Sequence, residues 1–146
     1  MHANRFDPLL KHAETKEEAA ARLYAERLKA LTESERRLGE LARYADEYAN
    51  PNCGPSNAAL LLNHQRFRER IETALDQQRK VVERTRSNCN LQHARLMLAS
   101  RDSKAMEQLA ASHRVRLARD EARREQNQLD DLAGRQHQEK KTRSEP

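Results

Sequence analysis

The side chains that most often do chemistry in proteins are present in this sequence but are not grouped. Six histidines are scattered along the chain, and no two lie one helical turn apart, the spacing that a metal site borne on a helix needs. Cys53 and Cys89 form no CxxC pair and have no paired histidines nearby. There is no glycine-rich phosphate loop, HExxH or GxSxG motif. We therefore expect no enzyme activity, and no cofactor or metal ion.

A basic stretch, HRVRLARDEARR over residues 113–124, introduces nucleic-acid binding as an alternative. The basic region of a basic-leucine-zipper protein is followed directly by a strong heptad zipper. Here Gly134 and a polar tail follow instead. Asp120 and Glu121 also interrupt the positive charge. The net charge of +5 is mostly interleaved in sign, which favours a solvated helix face and predicts no nucleic-acid partner.

The composition indicates which elements must carry any site. Charged residues make up 35% of the chain, aromatic residues only 3%, and tryptophan is absent. Such a composition is typical of long helices or coiled coils. Mean hydropathy is −1.11, which also suits a disordered chain, but the regular recurrence of leucine argues for helix over most of the length.

The first helix is predicted over about residues 7–49. Asp7 is a good N-cap and Pro8 suits the first helical position, while no further proline occurs before Pro51. Glu35 interrupts an otherwise regular stripe with 3/4 spacing. The stripe consists of Ala20, Tyr24, Leu28, Leu31, Leu38, Ala42 and Ala45.

A turn is predicted at about residues 50–57, because Pro51, Gly54 and Pro55 fall together there. The second helix then runs over about 58–133, capped by Ser56 or Asn57, with a frayed or disordered tail at 134–146. Its main heptad positions are Leu75, Val82, Cys89, Leu96, Ala110 and Leu117, and Thr85, Ala99 and Met106 hold the companion position. Four polar residues weaken this seam: Gln78, Gln92, Ser103 and His113.

A short connection between long helices makes them antiparallel neighbours. The predicted fold is therefore all-α, a long two-helix antiparallel coiled-coil hairpin with the second helix longer, forming one domain over residues 1–133. Residues whose numbers add to about 108 should face each other. The first helix then covers the second up to about residue 100, and the cysteines lie too far apart for a disulfide, with Cys89 in the core.

A second stripe near the turn is not explained by this pairing. Arg37, Leu41, Tyr44 and Tyr48 follow 4-3-4 spacing and centre about 120° from the seam of the first helix. On the second helix, four residues form a similar patch at the same level: Phe67, Ile71, Ala74 and Gln78. Two interpretations stay open at this point, local packing that stiffens the hairpin or a surface for a partner.

The longest apolar run, residues 58–62, is far too short to span a membrane, and no secretory leader opens the sequence. We expect a cytoplasmic protein with reduced cysteines, whose membrane contact is peripheral and made through partners.

The segments around the turn resemble the FliJ family of bacterial flagellar type III export. The stretch LARYADEYANPNCGPSN is followed by LLNHQRFRERIETALDQQ, which gives two tyrosines four apart, a short break and then Q-x-F-x3-[LI]-x2-A. The opening RFDPLLKHAETKEEAAARL also resembles family N-termini. The resemblance covers roughly residues 5 to 100.

This resemblance implies a hairpin similar to the stalk of rotary ATPases, needed for flagellum assembly and motility. Its paired termini would enter the ring of the export ATPase FliI, its aromatic end would bind the export gate protein FlhA, and it would escort export chaperones. The implied gate-binding residues are Arg37, Leu41, Tyr44, Tyr48, Phe67, Ile71, Ala74 and Gln78. Arg37 and Gln78 stand where enteric relatives have Gln and His.

Two alternatives to the flagellar stalk stay open in the sequence. One is the equivalent stalk of a virulence type III secretion system, which shares the fold. The other is a generic coiled-coil scaffold or homodimer, in which the tyrosine patch would be a dimer contact.

Overall fold

The computed structural model describes residues 4–49 and 57–144, and its regular structure consists of two helices. Helix α1 spans Asp7–Ala49 and helix α2 spans Ala58–Ser144. The prediction of an all-α fold with two helices, the second longer, is confirmed. Residues 50–56, which hold most of the predicted turn and Cys53, lie outside the described residues.

The helix starts show which residues satisfy the free backbone N–H groups. At α2, the prediction of a cap is confirmed, because Asn57 Oδ1 accepts a hydrogen bond from the Leu60 N–H at 2.8 Å. At α1, the predicted cap is wrong: Asp7 is already the first helical residue, and its carboxylate accepts from Arg114 at 3.0 Å. The Asp7 N–H donates instead to the backbone carbonyl oxygen of Asn4 at 3.0 Å, and Asn4 Oδ1 accepts from the Phe6 N–H just before the helix at 3.0 Å.

The contacts divide the chain into two compact units. The central unit is Thr15–Ser100 and the terminal unit is Met1–Glu14 with Arg101–Pro146. In the central unit, the helices pair antiparallel, because the residue that contacts α1 falls in number as α1 advances. The contacts that show it are Tyr24 with His93, Ser34 with Gln78, and Tyr48 with His64.

The pairing register differs from the predicted one. Tyr24 should have faced a residue near 84 but contacts His93, and Asp7 contacts Arg114 rather than a residue near 100. The prediction counted both helices outward from the turn as though they began to pair at once. In the structure, residues 58–63 of α2 are all exposed, and the first contacts with α1 come at His64 and Phe67.

The α2 seam follows the predicted heptads closely. Buried side chains recur at the predicted main positions, as at Leu75, Val82 and Cys89, while Gln92 is buried on the companion register. In the terminal unit, Ser103 and Ala110 continue the main register. Cys89 is a free thiol in this seam, consistent with its predicted role as a small core residue.

The α1 seam is thinner and partly different from the prediction. Ala13 and Ser34, which were not predicted, are buried, whereas the predicted positions are half-buried except Leu28, which is exposed. Leu28 lies about 80° from the centre of the stripe on a helical wheel, so its predicted seam position is wrong. Glu35 does not interrupt the seam, because Ser34 occupies that position and Glu35 pairs outside it with Arg86 at 3.1 Å.

Helix α2 continues beyond its predicted end. The frayed tail expected at residues 134–146 is instead helical as far as Ser144, after which residues 145–146 lie outside the described part. Gly134 sits inside this helix with open space around it, so its cost relative to alanine is about 1 kcal/mol and does not end the helix. Every residue from 118 to 144 is exposed.

Candidate partner-binding site

Three aromatic rings in the central unit form what we call the aromatic patch: Tyr44, Tyr48 and Phe67. The Tyr48 and Phe67 ring centroids lie 4.5 Å apart across the two helices. His64, one turn before Phe67, stacks on Tyr48 with centroids 5.4 Å apart and planes inclined by 25°. Despite these contacts, Tyr48 remains 38% exposed and Phe67 43% exposed. The rings are therefore held in place by one another and still present a large apolar surface.

Tyr44 is the most exposed member of the patch, at 51%. The guanidinium of Arg43 lies 6.0 Å from its ring centroid, at the outer limit of a cation–π contact. On a helical wheel Tyr44 lies about 120° from the α1 seam, and its exposure agrees with that position. A ring in this position contributes little to hairpin packing, which leaves it available to another molecule.

Ile71 does not belong to an exposed patch. It is only 8% exposed, because it stands seven residues before Gln78 and fourteen before Thr85, on the companion register of the α2 seam. Gln78 is on the same register, half-buried, and its Nε2 donates to the Ser34 carbonyl oxygen at 3.0 Å. The structure therefore assigns these two residues of the predicted patch to helix pairing.

The other predicted patch residues also divide into those that lie between the helices and those that are exposed. Leu41 and Ala74 are half-buried between the helices, whereas Arg37 is exposed and its Nε donates to Glu33 Oε1 at 3.3 Å. The two stripes predicted from the sequence thus meet at the aromatic patch but do not form one continuous surface.

A charged cluster lies on α1 one to three turns before Tyr44. Arg36 forms a hydrogen-bonded pair with Glu33 at 2.7 Å and also pairs with Glu40. The hydrogen bond from Arg36 is the largest cause that lowers the pKa of the Glu33 carboxyl from 4.5 to about 2, with Arg37 adding to it. The same pairing raises the pKa of Arg36 further above its ordinary value. These exposed pairs stabilise α1 locally and keep its outer face charged.

An open groove of about 720 Å³ runs beside the patch between the end of α1 and the start of α2. Its lining includes the apolar side chains of Tyr48 and Ile71 and the charged side chains of Asp46, Glu72 and Arg68. A side chain from a partner that contacted Tyr48 would therefore have both an apolar wall and charges of both signs within reach.

Sequence reasoning missed the histidines as partners of the aromatic rings. His64 stacks on Tyr48, and His93 lies 5.2 Å from Tyr24, both in the central unit. In the terminal unit, His113 meets Phe6 edge-on at 5.2 Å. Only the contact of His113 could have been predicted, because His113 falls on the companion register of the predicted α2 seam.

Among the described residues, no cluster of three or more histidine, cysteine or carboxylate side chains has the arrangement of a metal site. Neither described helix combines the length and apolar character that crossing a membrane would require.

Comparison with known proteins supplies the family. The sequence model of the family described as "Flagellar FliJ protein" matches residues 1–142. Neither the comparison with curated proteins nor the one with solved structures found a match. Since the family match covers nearly the whole sequence, and two helices of the predicted order and relative length are present, the chain belongs to the FliJ family, whose members are components of flagellar type III protein export.

Proposed function

We propose that this protein is the non-enzymatic stalk that couples the export ATPase ring to the export gate. The observation that carries the proposal is the exposure of Tyr44, Tyr48 and Phe67 in a chain with very few aromatic residues. A large ring that stays in contact with water gains stability when it enters a partner's pocket, on the order of 1.5–3 kcal/mol for each side chain. In this proposal the partner is the cytoplasmic part of an FlhA-like gate.

In this proposal, the exposure of each residue indicates whether it would touch the gate. Tyr44 and Arg37 are exposed and would contact it directly, together with the exposed faces of Tyr48 and Phe67. Leu41 and Ala74 would contribute only their edges, because each is half-buried. Ile71 and Gln78 would act by holding α1 and α2 in position beneath the patch.

The exposed end of α2 supports the second half of the proposal, entry into the ring of a FliI-like ATPase. Residues 118–144 are helical and bury nothing within the chain, and they carry charges of both signs. Extended in an α-helix, this stretch is roughly 40 Å long at 1.5 Å per residue. A long charged helix suits the interior of a ring, where polar contacts form and break readily.

The proposal also includes a role with export chaperones and a location in the cell. The protein would escort export chaperones and would work in the cytoplasm, at the membrane only through its partners. Flagellum assembly and motility would then depend on it.

The decisive test is the pair of single variants Tyr44→Ala and Phe67→Ala. We expect either variant to abolish swimming and to lose retention of the purified gate domain in a pull-down, while the helical signal in circular dichroism stays unchanged. Tyr44 is the cleaner of the two, because its ring contact is to Arg43 on the same helix. Leu109→Ala, which removes an equally exposed apolar side chain in the terminal unit, serves as the matched control.

The outcome also separates the proposal from the scaffold alternative. Normal swimming and normal gate retention in both variants would show that the patch is not the gate contact. A dimer in light scattering that dissociates in Tyr44→Ala would instead identify the patch as a self-interface. Retention of the export ATPase by the wild-type chain, and its loss when residues 118–146 are removed, would test the ring contact separately.

A further inference from the structure

A second group of apolar side chains lies on the outside of α2, away from both the seam and the aromatic patch. Leu91 is 49% exposed and Leu98 is 57% exposed, and the two stand seven residues apart. Met97 and Ala94 are exposed beside them. All four belong to the central unit, and we call them the outer leucine face.

The position of this face on the helix excludes a role in hairpin pairing. The α2 seam in this region consists of Cys89, Gln92 and Leu96, which are buried or half-buried. At 100° per residue, Leu91 and Leu98 centre about 140° from that seam. Two leucines one heptad apart lie on the same side of a helix, so both can pack against one partner helix.

Positive charge borders the outer leucine face. Arg84 lies seven residues before Leu91, and Arg95 lies between the two leucines at i+4 and i−3, so both share their stripe. Among the described residues, neither arginine has an ion-pair partner, whereas Arg86 on another side of α2 is paired with Glu35. Residues 84–100 contain three arginines and no aspartate or glutamate.

We propose that the outer leucine face is a docking site for an acidic amphipathic helix of a partner protein. The partner's apolar residues would pack against Leu91, Ala94 and Leu98, and carboxylates on its flanks would pair with Arg84 and Arg95. Burial of the leucines provides affinity, and the charges select the partner and its orientation. This surface is separate from the aromatic patch and the end of α2, so the inference goes beyond the gate and ATPase contacts.

Charge argues against a second copy of the chain as the occupant. In an antiparallel self-pairing centred between Leu91 and Leu98, Arg95 of one copy would lie opposite Arg95 of the other. Residues 84–100 contain no carboxylate to offset the repulsion, and the next one on this stripe is Asp102, seven residues after Arg95. A like-charged pair at the centre of an interface costs affinity, while an acidic helix turns the same two arginines into attractive partners.

The test uses the full-length protein and a fluorescent helical peptide of about 18 residues, long enough to cover the face at 1.5 Å per residue. One peptide carries leucines at i, i+3 and i+7 with flanking glutamates, and its twin carries lysines in place of the glutamates. We expect the acidic peptide to bind and the basic peptide not to bind, as measured by fluorescence anisotropy. Leu91→Ala with Leu98→Ala should weaken binding by at least about tenfold, since each leucine loses its buried apolar surface.

Matched variants separate the apolar and the charged contributions. Arg84→Gln with Arg95→Gln should weaken binding by roughly two- to fivefold and reduce its dependence on salt. Leu129→Ala with Leu132→Ala, which removes two equally exposed leucines beside Asp130 and Asp131, should leave binding unchanged. Circular dichroism verifies that each variant retains its helix, as expected for exposed sites.

Three results would overturn the proposal. They are equal binding of the acidic and basic peptides, acidic-peptide binding that is unaffected by the Leu91/Leu98 double variant, and a concentration-dependent dimer that the same double variant dissociates. None of these results involves an export component, so none of them bears on the stalk proposal. In the same way, failure of the Tyr44→Ala test would not bear on the outer leucine face.

Discussion

Two stretches of α2 share one continuous helix but differ in what they bury. Residues 71–99 place a buried or half-buried side chain on every heptad of the seam, whereas residues 118–144 are exposed throughout. The sequence explains the change, because the register of Leu75, Val82 and Cys89 continues past Leu117 as Arg124, Asp131 and Gln138. Helical propensity is similar in both stretches. Helix formation and tertiary burial are therefore separate properties of this chain, and only the first stretch has a seam to bury.

The largest expected difference between the stretches is in core deletions. Leu75→Ala should reduce the free energy of unfolding by about 2–4 kcal/mol, since it removes a buried side chain from a narrow seam. Leu129→Ala, in the exposed stretch, should change it by less than about 0.5 kcal/mol. Urea unfolding followed by circular dichroism measures both values.

A large effect of Leu129→Ala would break the comparison, because it would mean that the exposed stretch buries its side chains in solution. Analytical ultracentrifugation of the wild-type chain would then show whether a second copy covers it.

The next largest effect on stability is expected from replacing two glycines with alanine. Gly39 in α1 and Gly134 in α2 both have open space where an added Cβ would lie. Gly39→Ala should stabilise the central unit by about 0.5–1 kcal/mol and raise its melting temperature. Gly134→Ala should increase the helical signal at low temperature but leave the main melting transition in place, because no tertiary contact depends on it. Equal shifts in melting temperature would contradict the separation of the two stretches.

The smallest expected effect is a change in how the stability of the fold depends on acidic pH. The pKa of Glu33 is lowered from 4.5 to about 2 by Arg36 and Arg37, so the folded state favours the carboxylate more than the unfolded state does. Its contribution to stability is therefore present above about pH 4.5 and lost as the pH falls toward 2. Glu33→Gln should flatten the change of the urea midpoint over this pH range. Glu18→Gln, at a looser 3.9 Å pair with Arg22, is the control and should leave that change in place.

Much of this architecture could be read from local sequence signals. Heptad spacing predicted the α2 seam at Leu75, Val82, Cys89 and Ala110, and the prolines between the helices predicted the break. Asn57 was predicted as a cap because a short polar side chain preceding a helix can accept from its free N–H groups. These features depend on the chemistry of a few neighbouring residues, which a single sequence contains.

Features that depend on pairing between distant segments could not be derived in the same way. The register shift arose because nothing local says how many residues of α2 precede its first contact with α1. The same uncertainty placed Ile71 in an exposed patch, although its heptad spacing from Gln78 already marked it as a seam residue. Gly134 was treated as a helix end, but one glycine among good helix formers costs too little to end a helix.

In the central unit, the buried apolar side chains are Ile71, Leu75, Val82 and Cys89, all on α2. The α1 positions that face them are mostly half-buried, so apolar burial alone fixes the alignment of the two helices only weakly. Gln78 donating to Ser34 and Tyr48 lying between His64 and Phe67 are contacts that would be lost if one helix slid along the other. Alignment of the two helices thus depends on a hydrogen bond and an aromatic triplet, and a molecule that gripped the triplet would also fix the alignment.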